Sequence, residues 1–279
     1  MTGQATEGRL ALIAGIGALP ALLSGAERAA GGDPLICALD GTPPEGVEAS
    51  ITFRLERLMP FLDQLEDEGV TRVAFAGGMR RPALDPMLFD PATAQIVPAL
   101  VPALQAGDDA TLRAILGLFE EAGFSVVGAD AIAPDLVPGA GLLGPFRPSS
   151  DDERDAARAA EIVAALGAAD VGQGAVVAQG LCLAVEALPG TDAMLDFVAA
   201  TCGGLRPDPA GARGVFHKAP KPGQERRMDL PALGPETVRR AAAAGLAGIS
   251  WEAGGVLLLG RDAVLAEAEA AGLFLWSRE

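Results

Sequence analysis

Residues 9–40 read RLALIAGIGALPALLSGAERAAGGDPLICALD, and this stretch decides the fold. An apolar run, a glycine turn, an amphipathic stretch and a second apolar run ending in Asp40 follow one another, the pattern of a β-α-β unit. Gly15 and Gly17 let the backbone turn tightly and approach a ligand. The helix that follows Ala18 offers free N–H groups to an anion, so Gly15, Gly17 and Ala18 are candidate ligand contacts. Asp40 lies about where a ribose-binding acid would, by the roughly 20-residue rule, which makes an NAD-dependent oxidoreductase one reading. Against it, Pro20 occupies the third glycine position of the dinucleotide fingerprint and would sit in the first helical turn.

Working outward, a helix around FLDQLEDEGV, the strand TRVAFAGG and the loop MRRPALDP make a further unit. Gly77 and Gly78, followed by Arg80 and Arg81, put flexible backbone and positive charge where open parallel sheets bind ligands. The alternative is a plain strand-to-helix turn. GDDATLRAILGLFEEAGFSVVGAD reads as a helix begun by Asp108 and Asp109, ordinary capping residues, then a strand. Gly and Pro crowd residues 136–150, which reads as a domain break with a linker at about 138–148. The expected domains are 1–137, Rossmann-like, and 149–279, mixed α/β. In the second, Ser150 and Glu153 suggest a capping box for a long alanine-rich helix. Strands follow at GAVVAQG and LCLAVEA, then a helix capped by Thr191, a strand at GVFHKAP, a helix over 234–244, strands at GISWEAG and GVLLLG, and a last helix before LFLWS.

Half of the 279 residues are hydrophobic, enough for a sizeable core, and no apolar stretch reaches the roughly 18 residues of a membrane span. The start MTGQATEGRL lacks a basic-then-apolar signal, so the cytosol is the default compartment. A net charge of −16 argues against nucleic acid as a partner, because backbone binding needs clustered cations. Three separated cysteines without a CxxC pair suggest neither a disulfide framework nor a thiolate metal site. His217 is the single histidine, so a His-based zinc site is excluded, and neither a phosphate-loop nor a GxSxG motif occurs.

Against that acidic background, KAPKPGQERRMD at 218–229 gathers Lys218, Lys221, Arg226 and Arg227 with two carboxylates. A solvated surface loop is one reading. The other is phosphoryl chemistry. Lysines and arginine can hold phosphate oxygens, while hard oxygen ligands suit Mg²⁺ or Mn²⁺, which neutralises phosphate charge and orients water. Polar groups at other strand ends of this half, Asp170, Gln173, Gln179, Glu186, Thr191 and Asp192, widen the candidate set.

GIGALP, GGMRRP, GDDATLR, ADVGQGAVVAQG, VEALPGTDAM, HKAPKPGQERRMDLPALGPETV and AGLAGISWEAGG occur in that order over nearly the whole chain. Together they resemble the UDP-2,3-diacylglucosamine pyrophosphatases of the LpxI type. The resemblance implies Mg²⁺-dependent hydrolysis of UDP-2,3-diacylglucosamine to lipid X (2,3-diacylglucosamine 1-phosphate) and UMP, in lipid A synthesis of Gram-negative bacteria, with water directed to the sugar-side phosphorus. It also implies a Rossmann-like first domain and a distinctive α/β second one, closing on the substrate between them. Where the family usually has KPGQD, this chain has Glu225, whose extra methylene displaces the carboxylate by about 1 Å. Glu225 is therefore expected as the metal or water carboxylate, with Asp192 and Asp229 as partners in a metal set. Lys218, Lys221 and Arg227 are expected as phosphate-side cations. Gln173 and Gln179 are candidate orienting amides, and Thr191, Gln224, Gly77 and Gly78 complete the substrate contacts. An amphipathic substrate implies loose contact with the cytoplasmic face of the inner membrane, and a homo-oligomer is compatible with the sequence. A third reading, a non-catalytic nucleotide-sugar or lipid carrier, stays open because a displaced carboxylate could bind without turnover.

Overall fold

A computed structural model describes residues 8–79, 84–106 and 108–279 of the chain. It divides into two compact units, one comprising the chain to Pro134 together with Glu225–Asp229, the other Asp135–Gln224 with Leu230–Glu279. The chain thus leaves the second unit at Gln224, contributes five residues to the first, and returns at Leu230.

The first unit runs β1 (Arg9–Ala14), α1 (Leu19–Ala29), β2 (Leu35–Leu39), β3 (Ile51–Phe53), α2 (Leu58–Asp67), β4 (Val70–Ala76), α3 (Pro91–Ala106), α4 (Asp108–Glu121), β5 (Ser125–Val126) and α5 (Ala129–Ile132). Its strands form a parallel sheet in the order β3-β2-β1-β4-β5. Leu10–Ala14 are buried without alternation, as expected of a central parallel strand covered on both faces. Chain direction away from β1 reverses between β2 and β4, and the loops following β1 and β4 lie side by side at the carboxyl ends of the strands. The core stacks Phe53 on Phe61 at 4.0 Å between ring centroids and sets Phe75 edge-on to Phe119. Three elements here were not read from sequence: β3, the short α5, and α3, which carries Pro98 and Pro102 in its interior.

The second unit runs β6 (Gly141–Leu143), α6 (Ser150–Ala168), β7 (Gly174–Ala178), β8 (Leu181–Val185), α7 (Gly190–Thr201), β9 (Val215–Lys218), β10 (Ala232–Leu233), α8 (Pro235–Ala243), β11 (Gly248–Glu252), β12 (Leu257–Leu258), α9 (Arg261–Ala271) and β13 (Phe274–Arg278). Its six-stranded sheet, β6-β13-β11-β9-β7-β8, is mixed: β13, β11 and β9 are parallel, and β6, β7 and β8 join antiparallel. Strand alternation divides the core. Val176, Phe216, Ile249 and Trp251 point toward the helices α7, α8 and α9, while Ala175, Val177 and Val215 face the alanines of α6.

Three local readings are corrected. Residues 141–143, within the expected linker, form the edge strand β6. The capping box of α6 is Ser149 with Asp152, one residue before the Ser150 and Glu153 read from sequence: Ser149 Oγ accepts from the Asp152 N–H at 3.2 Å, and the Asp152 carboxylate accepts from the Ser149 N–H at 2.9 Å. Thr191 does not cap α7; Pro189 holds the N-cap position, and the Thr191 hydroxyl is turned to other partners.

Candidate functional site

At the carboxyl end of β1, the two glycine turns grip each other. Ile16 and Gly78 form a two-way backbone bridge, with N–H to carbonyl distances of 2.8 and 3.0 Å. A Cβ on Gly15 would stand 2.4 Å from the Gly78 carbonyl oxygen, and one on Gly77 2.5 Å from that of Ile16. Gly15 and Gly77 are thus required by the clamp itself. Gly17, with φ +98°, and Gly78 face open space, so these two, beside Ala18, keep the freedom a ligand would use. Arg80 and Arg81 lie outside the described residues, as do the side chains of Asp108 and Asp109. Pro20 occupies the first turn of α1, and Asp40, the ribose candidate, forms a 2.6 Å ion pair with Arg54.

In the second unit, β9 ends in Lys218, whose side chain is only 7% exposed. Its ammonium donates to Thr191 Oγ1 and, at 3.5 Å, to Glu186 Oε2, while the Thr191 hydroxyl donates to the same Glu186 oxygen at 2.9 Å. Glu186 follows β8, and two glycines make its place. A Cβ on Gly172 would meet the Glu186 carbonyl at 1.9 Å, and one on Gly174 its carboxylate at 2.7 Å. Nearby, Gln173 donates to Gln224 Oε1 at 2.7 Å, and the same oxygen accepts from the Lys221 N–H at 2.9 Å. Lys221 Nζ donates to Asp170 at 2.5 Å; Asp170 holds a left-handed φ of 55° just past α6. Lys218, Lys221, Gln173, Gln224 and Thr191 therefore belong to one neighbourhood, at the end of β9 and the start of the antiparallel β7.

Gln179 does not. It lies at the other end of β7, also at positive φ, where its side chain exchanges hydrogen bonds with the backbone of Asp208 and Ala212. Asp155 accepts from the Gln179 and Gly180 N–H groups there. Its side chain is thus engaged in a loop at the far end of β7, and the structure does not bring it together with Gln173, the other candidate orienting amide. A cavity of about 370 Å³ opens on that same edge, by the starts of β9, β11 and β13, among Arg147, Asp152, Arg213 and Phe274. Asp192, beside the inward-facing Thr191, turns outward and pairs with Arg240 at 3.5 Å.

In the first unit, Glu225–Asp229 form a helical turn, the Met228 and Asp229 N–H groups donating to the Glu225 carbonyl, and Met228 packs against the unit's core. The Arg227 guanidinium grips both oxygens of Glu225 at 2.9 Å and reaches Glu120 on α4 at 2.8 Å. These donors hold the Glu225 carboxyl below the usual carboxylate range, the side-chain bonds from Arg227 contributing most. Among the described residues, no three His, Cys, Asp or Glu side chains gather into a group able to hold a metal ion, so the trio Glu225, Asp192 and Asp229 is not assembled as one cage. His217, just before Lys218, is buried against Ser250 at 2.9 Å; burial pushes its imidazole down to about 3 and keeps it neutral. Of two further participants, Glu186 stood in the candidate set without a partner or role, and Glu120 was not singled out from sequence. The first stood within VEALPGTDAM and the second within α4, but a pairing across distant residues leaves no local signal.

Comparison with known proteins covers both units. The LpxI N-terminal domain model matches residues 9–136 and the LpxI C-terminal domain model residues 139–276. The UDP-2,3-diacylglucosamine pyrophosphatase LpxI of Caulobacter vibrioides is 40% identical to this chain over 278 residues, covering 96% of each.

Proposed function

The chain belongs to the LpxI family, and on that premise we propose that it hydrolyses the pyrophosphate bond of UDP-2,3-diacylglucosamine in lipid A synthesis, releasing lipid X and UMP. It is an enzyme, a hydrolase. The observation that carries the reading is 40% identity to a named pyrophosphatase across both halves of the chain. It displaces the oxidoreductase reading, which Pro20 and the engaged Asp40 already disfavoured.

In this reading the first unit is Rossmann-like, and Gly17, Ala18 and Gly78 contact the nucleotide-sugar. Lys218 and Lys221 neutralise the diphosphate. The ion pair of Lys221 with Asp170 is partly exposed, so a phosphate can replace the carboxylate at small cost. Arg227 acts chiefly through Glu225, which it keeps ionised and oriented. A carboxylate with a lowered pKa is a weak base, so Glu225 suits orienting the attacking water or binding a cation better than abstracting a proton early. Mg²⁺ is commonly held by one or two carboxylates with phosphate oxygens, not by an all-protein cage, so Glu225 with the substrate diphosphate fits it. The ion would supply charge neutralisation on the phosphates. Among the described residues no helix is long and apolar enough to cross a membrane; contact with a membrane surface follows in this reading from the acyl chains of the substrate.

The test is incubation of purified protein with UDP-2,3-diacylglucosamine, with Mg²⁺ and with EDTA, followed by mass spectrometry. Lipid X and UMP in equal amounts, formed only with the metal, are expected. Tight substrate binding with no product would overturn the hydrolase and leave the carrier.

A further inference from the structure

Resting on the hydrolase reading, we infer that Glu186 and Thr191 are positioning residues that aim the Lys218 ammonium at a phosphate oxygen of the substrate. A lysine ammonium has three N–H donors. Two of those of Lys218 go to Thr191 Oγ1 and Glu186 Oε2. The third has no partner among the described residues, although Lys218 as a whole is 6% exposed. Buried charged donors are normally satisfied, so an unused one marks the place of an anionic oxygen.

The threonine is fully engaged in this arrangement. Its oxygen accepts from Lys218 and its hydrogen goes to Glu186 at 2.9 Å, so it has no donor left for substrate and its assignment as a substrate contact changes. The direct contact between lysine and glutamate is long, 3.5 Å, and the hydroxyl bridges it. Such a three-membered chain fixes the direction of the ammonium better than an ion pair alone would, because each bond constrains the next. The glutamate is itself fixed. Its N–H donates to the Gly174 carbonyl at 2.8 Å, and the absence of a Cβ at Gly172 and Gly174 leaves room for its carbonyl and carboxylate. A surface ion pair would need no such accommodation.

The experiment is a double-mutant cycle with two readouts: UMP release, and calorimetric binding of inorganic pyrophosphate. Thr191→Val keeps the shape and removes the hydroxyl; Thr191→Ser keeps the hydroxyl. Expected are a roughly tenfold loss in Thr191→Val, recovery to near wild type in Thr191→Ser, and a similar loss in Glu186→Gln. In a Lys218→Ala background, Thr191→Val should change nothing further, since its action passes through the lysine. An equal loss in both backgrounds, or wild-type behaviour of Thr191→Val, would overturn the relay. UMP release without coupling rejects the relay and keeps the hydrolase; coupled pyrophosphate binding without UMP release does the reverse. Absence of both release and binding rejects both.

Discussion

Lys218 and Arg227 belong to the same cationic peptide, yet their side chains are 7% and 41% exposed, respectively. The lysine ends a central strand and is held by a hydroxyl and a carboxylate for which two glycines make room. The arginine sits on a turn, its donors shared between two carboxylates. The difference shows that sequence clustering of charge hides two arrangements: a nearly buried cation fixed by two partners, and a half-exposed cation bonded to two carboxylates.

The strongest way to break this comparison is to remove each cation. Lys218→Met leaves Glu186 without its counter-charge in a nearly buried place, with an expected cost of about 3–5 kcal/mol in urea unfolding. UMP release should fall by about 10²–10³. Arg227→Met should cost about 0–1 kcal/mol, as half-exposed pairs do, and about tenfold in rate. Equal effects of the two substitutions would erase the distinction.

The glycine turns sharpen the same contrast between built frame and open contact. Gly77→Ala meets the Ile16 carbonyl and a φ of +88°, so a loss of about 2–4 kcal/mol is expected. Gly17→Ala carries only the conformational strain, about 1–2 kcal/mol. Matching urea midpoints would show that the clamp contributes nothing.

Acid titration separates His217, just before the peptide, from Glu225 within it by pH window. His217 stays neutral when folded to about 3, whereas the unfolded chain protonates it near 6.5. The unfolded state thus binds the extra proton, and stability, full above 6.5, falls by about 1.4 kcal/mol per unit down to about 3. His217→Asn should flatten that slope. Glu225 has a lowered folded pKa, so its smaller contribution is present above its ordinary 4.5 and is lost only as pH falls through the folded value. A wild-type stability unchanged between pH 6.5 and 5 would contradict the buried neutral imidazole.

Much of this was legible in the sequence, for physical reasons that also mark its limits. The run RLALIAGIGALP has the apolar continuity of a doubly covered strand, so β1, α1 and β2 could be read directly. Pro98 and Pro102 concealed α3, because helix periodicity is read against proline. The Gly- and Pro-rich 138–148 stretch announced a boundary, but composition cannot distinguish a loop from an edge strand paired to residues 275–277. Lys218, Lys221 and Gln224 were singled out by charge and motif, and the structure places them in one neighbourhood at the end of β9. Glu186 stood among the candidates, but its link to Lys218 was not read, since it arises from the register of β7 against β8 and β9, and nothing near either residue encodes that register.

The measurement that bears most directly on the account is the rate of UMP release by Glu225→Ala at saturating Mg²⁺, with its urea midpoint as the control for folding. Glu225 is partly exposed and its pair with Arg227 is a surface contact, so folding should be nearly unchanged. A fall of about a hundredfold or more in rate is predicted. A wild-type rate from a folded Glu225→Ala variant would contradict the placement of the chemistry in this peptide.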